Sequence, residues 1–169
     1  MIKLYRYIGP PRILEQARHQ APGLGVQSAA DLIAWLQAAG AVPGREVTTT
    51  FVVDEAGHLR LADRHAEHVA CAGGQPVRSA GEMTLVMVGQ AVRVIGVTNL
   101  STGYCPEPAS WPEVARALDA LGVAHATSFT TSFDFRRCPA CGQINLIKDG
   151  VLQCDACDAE LPAAWNFGA

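Results

Sequence analysis

The sequence predicts an α+β protein: a compact β-rich domain with two amphipathic helices, followed by a C-terminal zinc ribbon. Three observations carry this expectation. β-Branched and aliphatic runs recur between residues 47 and 100, separated by short turns rich in Gly and Asp. Two stretches, residues 28–40 and 110–122, place apolar side chains at helical spacing between a serine start and a glycine stop. Four of the six cysteines fall within RRCPACGQINLIKDGVLQCDAC as two C-x2-C pairs. The expected division is residues 1–129 for the β-rich domain and 130–169 for the ribbon with its tail.

Taken in order, LYRYI (4–8) predicts a first strand, halted by Gly9-Pro10-Pro11 because proline has no amide hydrogen for a ladder. A short helix is expected over 12–20, and APGLG interrupts the pattern. SAADLIAWLQAAG then predicts a helix with Ser28 as N-cap, Asp31 three residues on, and Leu32, Ile33, Trp35 and Leu36 as its apolar side. VTTTFVVDEAGHLRLA predicts a hairpin, strands 47–53 and 58–61 flanking Asp54-Glu55-Ala56-Gly57. QPVRSAGEMTLVMV and QAVRVIGVTNL predict two further strands that turn near Gly89. After the turn-rich STGYCPEP, Ser110 is the expected N-cap of a helix over 111–121, with Pro112 in its first turn. FTTSFDF (129–135) predicts one more strand, leading into the cysteines.

Composition bounds the function. The 169 residues are 49% hydrophobic and 17% charged, as in a folded chain rather than a disordered one, and the length suits one domain plus a small appendage. No apolar run is long enough to cross a bilayer, and MIKLYRYIGPPRIL lacks the apolar core of a secretion signal, so the expected location is the cytoplasm. Thiols stay reduced there, which makes the cysteines ligands, nucleophiles or buried small residues rather than a disulfide framework. The net charge is −3, and the last forty residues set Arg136, Arg137 and Lys148 against Asp134, Asp149, Asp155, Asp158 and Glu160. An acidic ribbon is poorly suited to a phosphate backbone, which argues against nucleic acid as a partner.

Cys138, Cys141, Cys154 and Cys157 have the spacing of a zinc ribbon, and the segment between the pairs reads as a hairpin turning at Lys148-Asp149-Gly150. Four thiolates would fill the tetrahedral shell of one Zn2+ and make it structural. Gly142 permits the chain to turn and aim an amide at sulfur. A competing arrangement pairs His65-Ala66-Glu67 with Cys138 and Cys141, after the zinc deaminases, but it has the proline on the wrong side of the first cysteine and leaves Cys154 and Cys157 unused. In the tail, Trp165 and Phe167 are expected to pack back on the hairpin, the alternative being an anchor for something else.

A second constellation comprises His65, Glu67, His68, Cys71, Tyr104 and Cys105. Cysteine near imidazole and carboxylate is the raw material of a thiol nucleophile, and Gly73-Gly74 would let amides approach an oxyanion. The weak catalytic candidates are therefore His68, Cys71, Tyr104 and Cys105. Against this stands the plainer expectation that Cys71 and Cys105 are buried small residues and that His65 and His68 lie on a solvated turn. A second metal site from His65, His68, Cys71 and Cys105 is the remaining alternative.

YIGP near the start, AGGQPVRSAGEM, and STGYCP before a helix that begins with tryptophan together resemble the domain of plant IQ-motif calmodulin-binding proteins and of some bacterial toxin-associated proteins. The likeness covers about residues 51–121, and the ribbon lies outside it, as in uncharacterised bacterial zinc-ribbon proteins that join the two parts. It implies a fold more than an activity. Where the family has histidine-serine before AGG this chain has Glu67-His68, and Gly103 stands where the second segment has histidine, while Tyr104 and Pro106 match. Three functions are therefore expected in descending order: a binding or adaptor module acting through a protein partner; a small enzyme or binder of a nucleotide-like metabolite, using a pocket between the AGG and STGYCP loops; and a nucleic-acid-binding ribbon.

Overall fold

A computed structural model describes residues 2–168. A five-stranded antiparallel sheet forms its centre. The strands are β1 (Leu24–Val26), β2 (Glu46–Asp54), β3 (Leu59–Asp63), β4 (Val77–Val88) and β5 (Ala91–Val97), in the spatial order β1-β3-β2-β4-β5. The β2–β3 turn is closed by Asp54, whose Oδ1 accepts from the amides of Ala56 (3.0 Å) and His58 (2.9 Å). Where β4 passes the end of β5, Gly81 sits so close to the Thr98 carbonyl that a Cβ would fall 1.9 Å from its oxygen. No larger residue fits there.

The pleat sorts side chains onto two faces. Phe51, Val53, Leu59, Leu61, Met83, Leu85, Val94 and Val97 share one apolar cluster with Leu32 and Leu36 of α2 (Ala29–Ala38) and with Val114, Ala117 and Leu118 of α4 (Trp111–Ala120). Val52, Val77 and Ala80 belong to the other cluster, with Ala17 of α1 (Pro11–Arg18), Val69 and Cys71 of the one-turn α3 (His68–Cys71), Tyr5 and Tyr104. Helices thus cover both faces, which is why Thr49–Val53 is buried without alternation.

The helix over residues 29–38 starts as expected. Ser28 Oγ accepts from the Asp31 amide at 3.2 Å, and Asp31 Oδ2 accepts from the Gln27 amide at 3.0 Å, so two donors at the helix start are satisfied. Ser110 does not cap α4. Its backbone is already helical, following the 3-10 turn Pro108–Ser110, and its hydroxyl pairs instead with Ser79 Oγ at 2.9 Å in the interior. Residues 4–8 make no strand: only Tyr5 bridges to Val77, through reciprocal bonds of 2.8 and 3.0 Å. Leu24–Val26, within the expected break, pairs with β3 as an edge strand.

Residues 129–135 also depart from a single strand. Phe129 belongs to the larger core, edge-on to Trp111 with centroids 5.1 Å apart, and Thr130 is bonded to Val97 through its amide and hydroxyl. Only at Asp134 does β6 (Asp134–Arg137) begin, pairing with β7 (Ile144–Ile147) in the ribbon. The joint between the two parts is therefore built rather than slack. Asn99, fully buried, donates to the carbonyls of Pro106 and Phe133 (both 2.8 Å) and accepts from the Phe133 amide (2.7 Å). Asn99→Ala leaves the Pro106 carbonyl and both backbone groups of Phe133, at least partly buried, without these partners. It is expected to cost about 3 kcal/mol in urea denaturation and to open residues 127–133 to limited proteolysis.

Candidate metal centre and the buried thiols

In the ribbon the ligand atoms of Cys138, Cys141, Cys154 and Cys157 all lie within 4.8 Å of one another. Cys138 Sγ is 3.6 Å from Cys157 Sγ, and Cys141 Sγ is 3.7 Å from Cys154 Sγ. A disulfide is far shorter, whereas sulfurs about 2.3 Å from one tetrahedral ion stand about 3.8 Å apart. The donor set fits a metal ion, and among the described residues it is the one group of three or more His, Cys, Asp or Glu side chains with that geometry. The deaminase-like alternative fails on position: His65 is exposed and bonds Asp63 Oδ1 at 3.0 Å.

The two C-x2-C pairs are near copies. The Gly142 amide donates to the Cys138 carbonyl (2.9 Å), and the Asp158 amide to that of Cys154 (3.0 Å). The Cys138 amide donates to the Gln143 carbonyl (2.8 Å), and the Cys154 amide to that of Ala159 (2.9 Å). Both loops need a left-handed residue at the same place, Gly142 at φ 79° and Asp158 at φ 60°. The Gly142 amide thus closes its turn on a carbonyl instead of reaching sulfur. Sulfur receives the Ala156 amide (3.4 Å) and Asn145 Nδ2 (3.6 Å), both on Cys154. Asn145 also accepts from the Asp155 amide at 2.9 Å, so one buried side chain holds the second knuckle from inside the hairpin. Sequence reading missed Asn145. Its only signal is a polar residue midway along an otherwise apolar strand, INLI.

The electrostatics favour a cation among the sulfurs. Burial opposes ionisation of Cys154, but the Ala156 and Cys157 amides, with Cys141 and Asn145, bring its thiol down to about 6. The Ala159 amide favours a thiolate at Cys157, yet the neighbouring sulfurs of Cys141 and Cys138 push it up to about 12. The protein alone supports a partial negative charge here, and a divalent ion removes the repulsion that prevents the rest.

The second constellation is assembled for packing. Cys71 and Cys105 are buried, and burial pushes both thiols up to about 12. Neither has a histidine partner: His68 Nε2 donates to the Gly81 carbonyl at 2.9 Å, and Cys105 Sγ faces the Thr102 carbonyl at 3.4 Å. The amides of Gly73 and Gly74 are spent on the carbonyls of Ala70 and Val69, so no oxyanion pocket is formed. His65 lies on a solvated turn as expected, whereas His68 is partly buried and its pKa is lowered by desolvation.

The three segments YIGP, AGG and STGYCP do lie together. Ile8 donates to the Gly103 carbonyl (2.8 Å), Tyr7 meets Tyr104 edge-on (5.8 Å), and Tyr104 Oη donates to the Gln75 carbonyl (2.7 Å). A Cβ at Gly103 would fall 2.7 Å from the Tyr7 ring, so a histidine at that position requires the ring to move. The space between the AGG and STGYCP loops is filled by Tyr104 itself.

The tail corrects the expectation that it packs on the hairpin. Trp165 crosses to the larger domain, where its Nε1 donates to the Cys105 carbonyl (2.8 Å) and its ring meets Tyr5 edge-on (5.7 Å). The ribbon holds the tail from the other side. Arg136 donates to the carbonyls of Pro162 (3.0 Å) and Ala163 (2.8 Å), and the Asn166 side chain pairs with both backbone groups of Arg137.

Cys154→Ser is expected to release one metal ion per chain, detected by elemental analysis, and to expose the ribbon and tail to proteolysis while circular dichroism retains the sheet of residues 46–97. For His68, the folded pKa lies below the ordinary 6.5, so between the two values the unfolded chain binds a proton that the native chain does not. Stability therefore falls as pH drops below 6.5, with a slope approaching about 1.4 kcal/mol per pH unit. His68→Gln, which keeps a donor for Gly81, is expected to flatten that part of the denaturation profile relative to the parent protein.

Comparison with family models, with curated proteins and with solved structures finds no match to this chain, so its function rests on the chemistry of these sites.

Proposed function

We propose that the protein is a zinc-ribbon adaptor that works by protein–protein contact in the cytoplasm, with one structural Zn2+ on Cys138, Cys141, Cys154 and Cys157. The observation that carries this reading is the four-sulfur cluster, whose thiolates would complete the tetrahedral shell of a zinc ion and leave no position for water or substrate. The burial of Cys71 and Cys105, with thiols at about 12, argues against covalent catalysis by either.

The ribbon surface points to the chemistry of the partner. Asp149, Asp155, Asp158 and Glu160 are exposed, against a single exposed lysine in the segment, Lys148. Arg136 and Arg137, the other cations of this segment, are committed to the tail: Arg136 through its guanidinium bonds, Arg137 by lying over the Phe167 ring at 5.5 Å. An excess of exposed carboxylates of this kind repels nucleic acid and complements a protein surface carrying Lys and Arg.

Amine-reactive crosslinking from Lys148 in cells that express the full chain, read by mass spectrometry, tests the proposal. The expected result is one recurrent partner peptide from a basic surface, reduced at least five-fold by Asp155→Lys with Glu160→Lys. These two sites are chosen because Asp149 and Asp158 have φ of 51° and 60°, where lysine would strain the backbone. Crosslinks that persist unchanged in the double variant, or retention of the parent protein on heparin at low salt, would overturn the reading.

A further inference from the structure

The tail and the N-terminal segment enclose a cleft of about 300 Å³, lined by Lys3, Leu4, Arg6, Tyr104, Trp165 and Phe167 with Gly168 at its edge. We infer that this cleft is a binding site for a mononucleotide-class ligand, a planar heteroaromatic ring carrying a phosphate. The site lies apart from the acidic ribbon face and does not depend on the adaptor reading.

Two partly exposed aromatic side chains are held there by contacts that do not need a ligand, over a floor formed by the buried Tyr104. Trp165 is fixed by its bond to the Cys105 carbonyl and by Tyr5, and Phe167 leans on Trp165 with centroids 5.5 Å apart. Rings immobilised in advance offer a stacking surface to a flat guest without the entropy cost of ordering them. The cations have a matching distribution. Lys3 sits over the Trp165 ring at 3.6 Å and is paired with Glu107, whereas Arg6 is exposed and, among the described residues, has no carboxylate within salt-bridge distance. In a chain of net charge −3, an unpaired guanidinium at the rim of an aromatic cleft is a local excess of positive charge. Its planar fork matches phosphate oxygens two at a time.

Size selects within this class. At about 300 Å³ the cleft stands at the small end of ligand pockets, enough for one ring with its sugar and phosphate and too small for a dinucleotide. Neither part of the ligand alone uses the whole site: inorganic phosphate has no ring to stack, and a nucleoside has no charge for Arg6.

Isothermal titration of the zinc-loaded full chain with AMP, adenosine and inorganic phosphate at low salt tests the assignment. AMP is expected to bind at least ten-fold more tightly than either fragment, with the Trp165 indole NH resonance shifting on binding. Arg6→Gln, an exposed substitution that leaves the melting temperature unchanged, is expected to weaken AMP at least five-fold and to leave adenosine unaffected. AMP binding no tighter than phosphate, or equal in the Arg6→Gln variant, or without a shift at Trp165, would overturn the site. None of these outcomes depends on whether Lys148 finds a protein partner, so the two readings fail separately.

Discussion

The convergence of four cysteine sulfurs on one point, a donor set that fits a metal ion, is the constraint on which the last forty residues depend. The ribbon's own core consists of Cys138, Cys154 and Leu161, with only Ile147, Leu152 and Ala159 packed partly against it. Burying so few groups yields a handful of kcal/mol, against about 1–2 kcal/mol of backbone entropy for each residue ordered. A metal ion held by the four thiolates would close that gap by coupling its binding free energy to folding. What the ribbon then positions is the tail. Arg136 and Asn166 fasten residues 162–166 to β6, and the tail carries Trp165 back across the joint to Cys105 and Tyr5. The cysteine cluster thus bears on a distant place: the ribbon it organises holds one wall of a cleft whose other wall belongs to the N-terminal segment.

The larger domain makes no such demand. Its sheet is covered on both faces at the centre, and β2 and β4 carry apolar side chains into two separate clusters. Stability of this kind is spread over many contacts and is insensitive to any single surface change. The weak point lies where the two modes of stabilisation meet. Asn99 replaces what would otherwise be a flexible linker with three hydrogen bonds, one of them to the carbonyl of Pro106 in the STGYCP loop and two to Phe133 at the ribbon's entry. The loop that touches the cleft and the strand that leads to the metal are thus read by the same side chain.

Local signals in the sequence were reliable where local chemistry decides the outcome. Ser28 with Asp31, the Asp54–Gly57 turn, the strand pair turning at Gly89, and the four ligand cysteines could all be recognised from residue type and spacing. Expectations failed where a residue found a better partner far along the chain. Ser110 has the look of a cap and serves Ser79 instead; residues 4–8 have the composition of a strand, yet one bridge at Tyr5 and the ring contacts of Tyr7 use them as a lining. Asn99 carries no local pattern, and Asn145 only that of a polar residue within the apolar strand INLI. Their roles exist only once two backbone segments separated in sequence are brought to their side chains.

The AGG and STGYCP loops show why residue types alone mislead about chemistry. Histidine, cysteine, tyrosine and paired glycines are shared by catalytic centres and by tightly packed corners, and burial distinguishes them. Here Gly73 and Gly74 adopt φ of 62° and 77° to end a one-turn helix, which consumes their amides, and Cys71 sits against Gly23 where only a small side chain fits. Cys105 adopts φ 45° so that its carbonyl meets the Trp165 indole. Each apparent catalytic group has been spent on bringing the N-terminal segment, the two loops and the tail into contact.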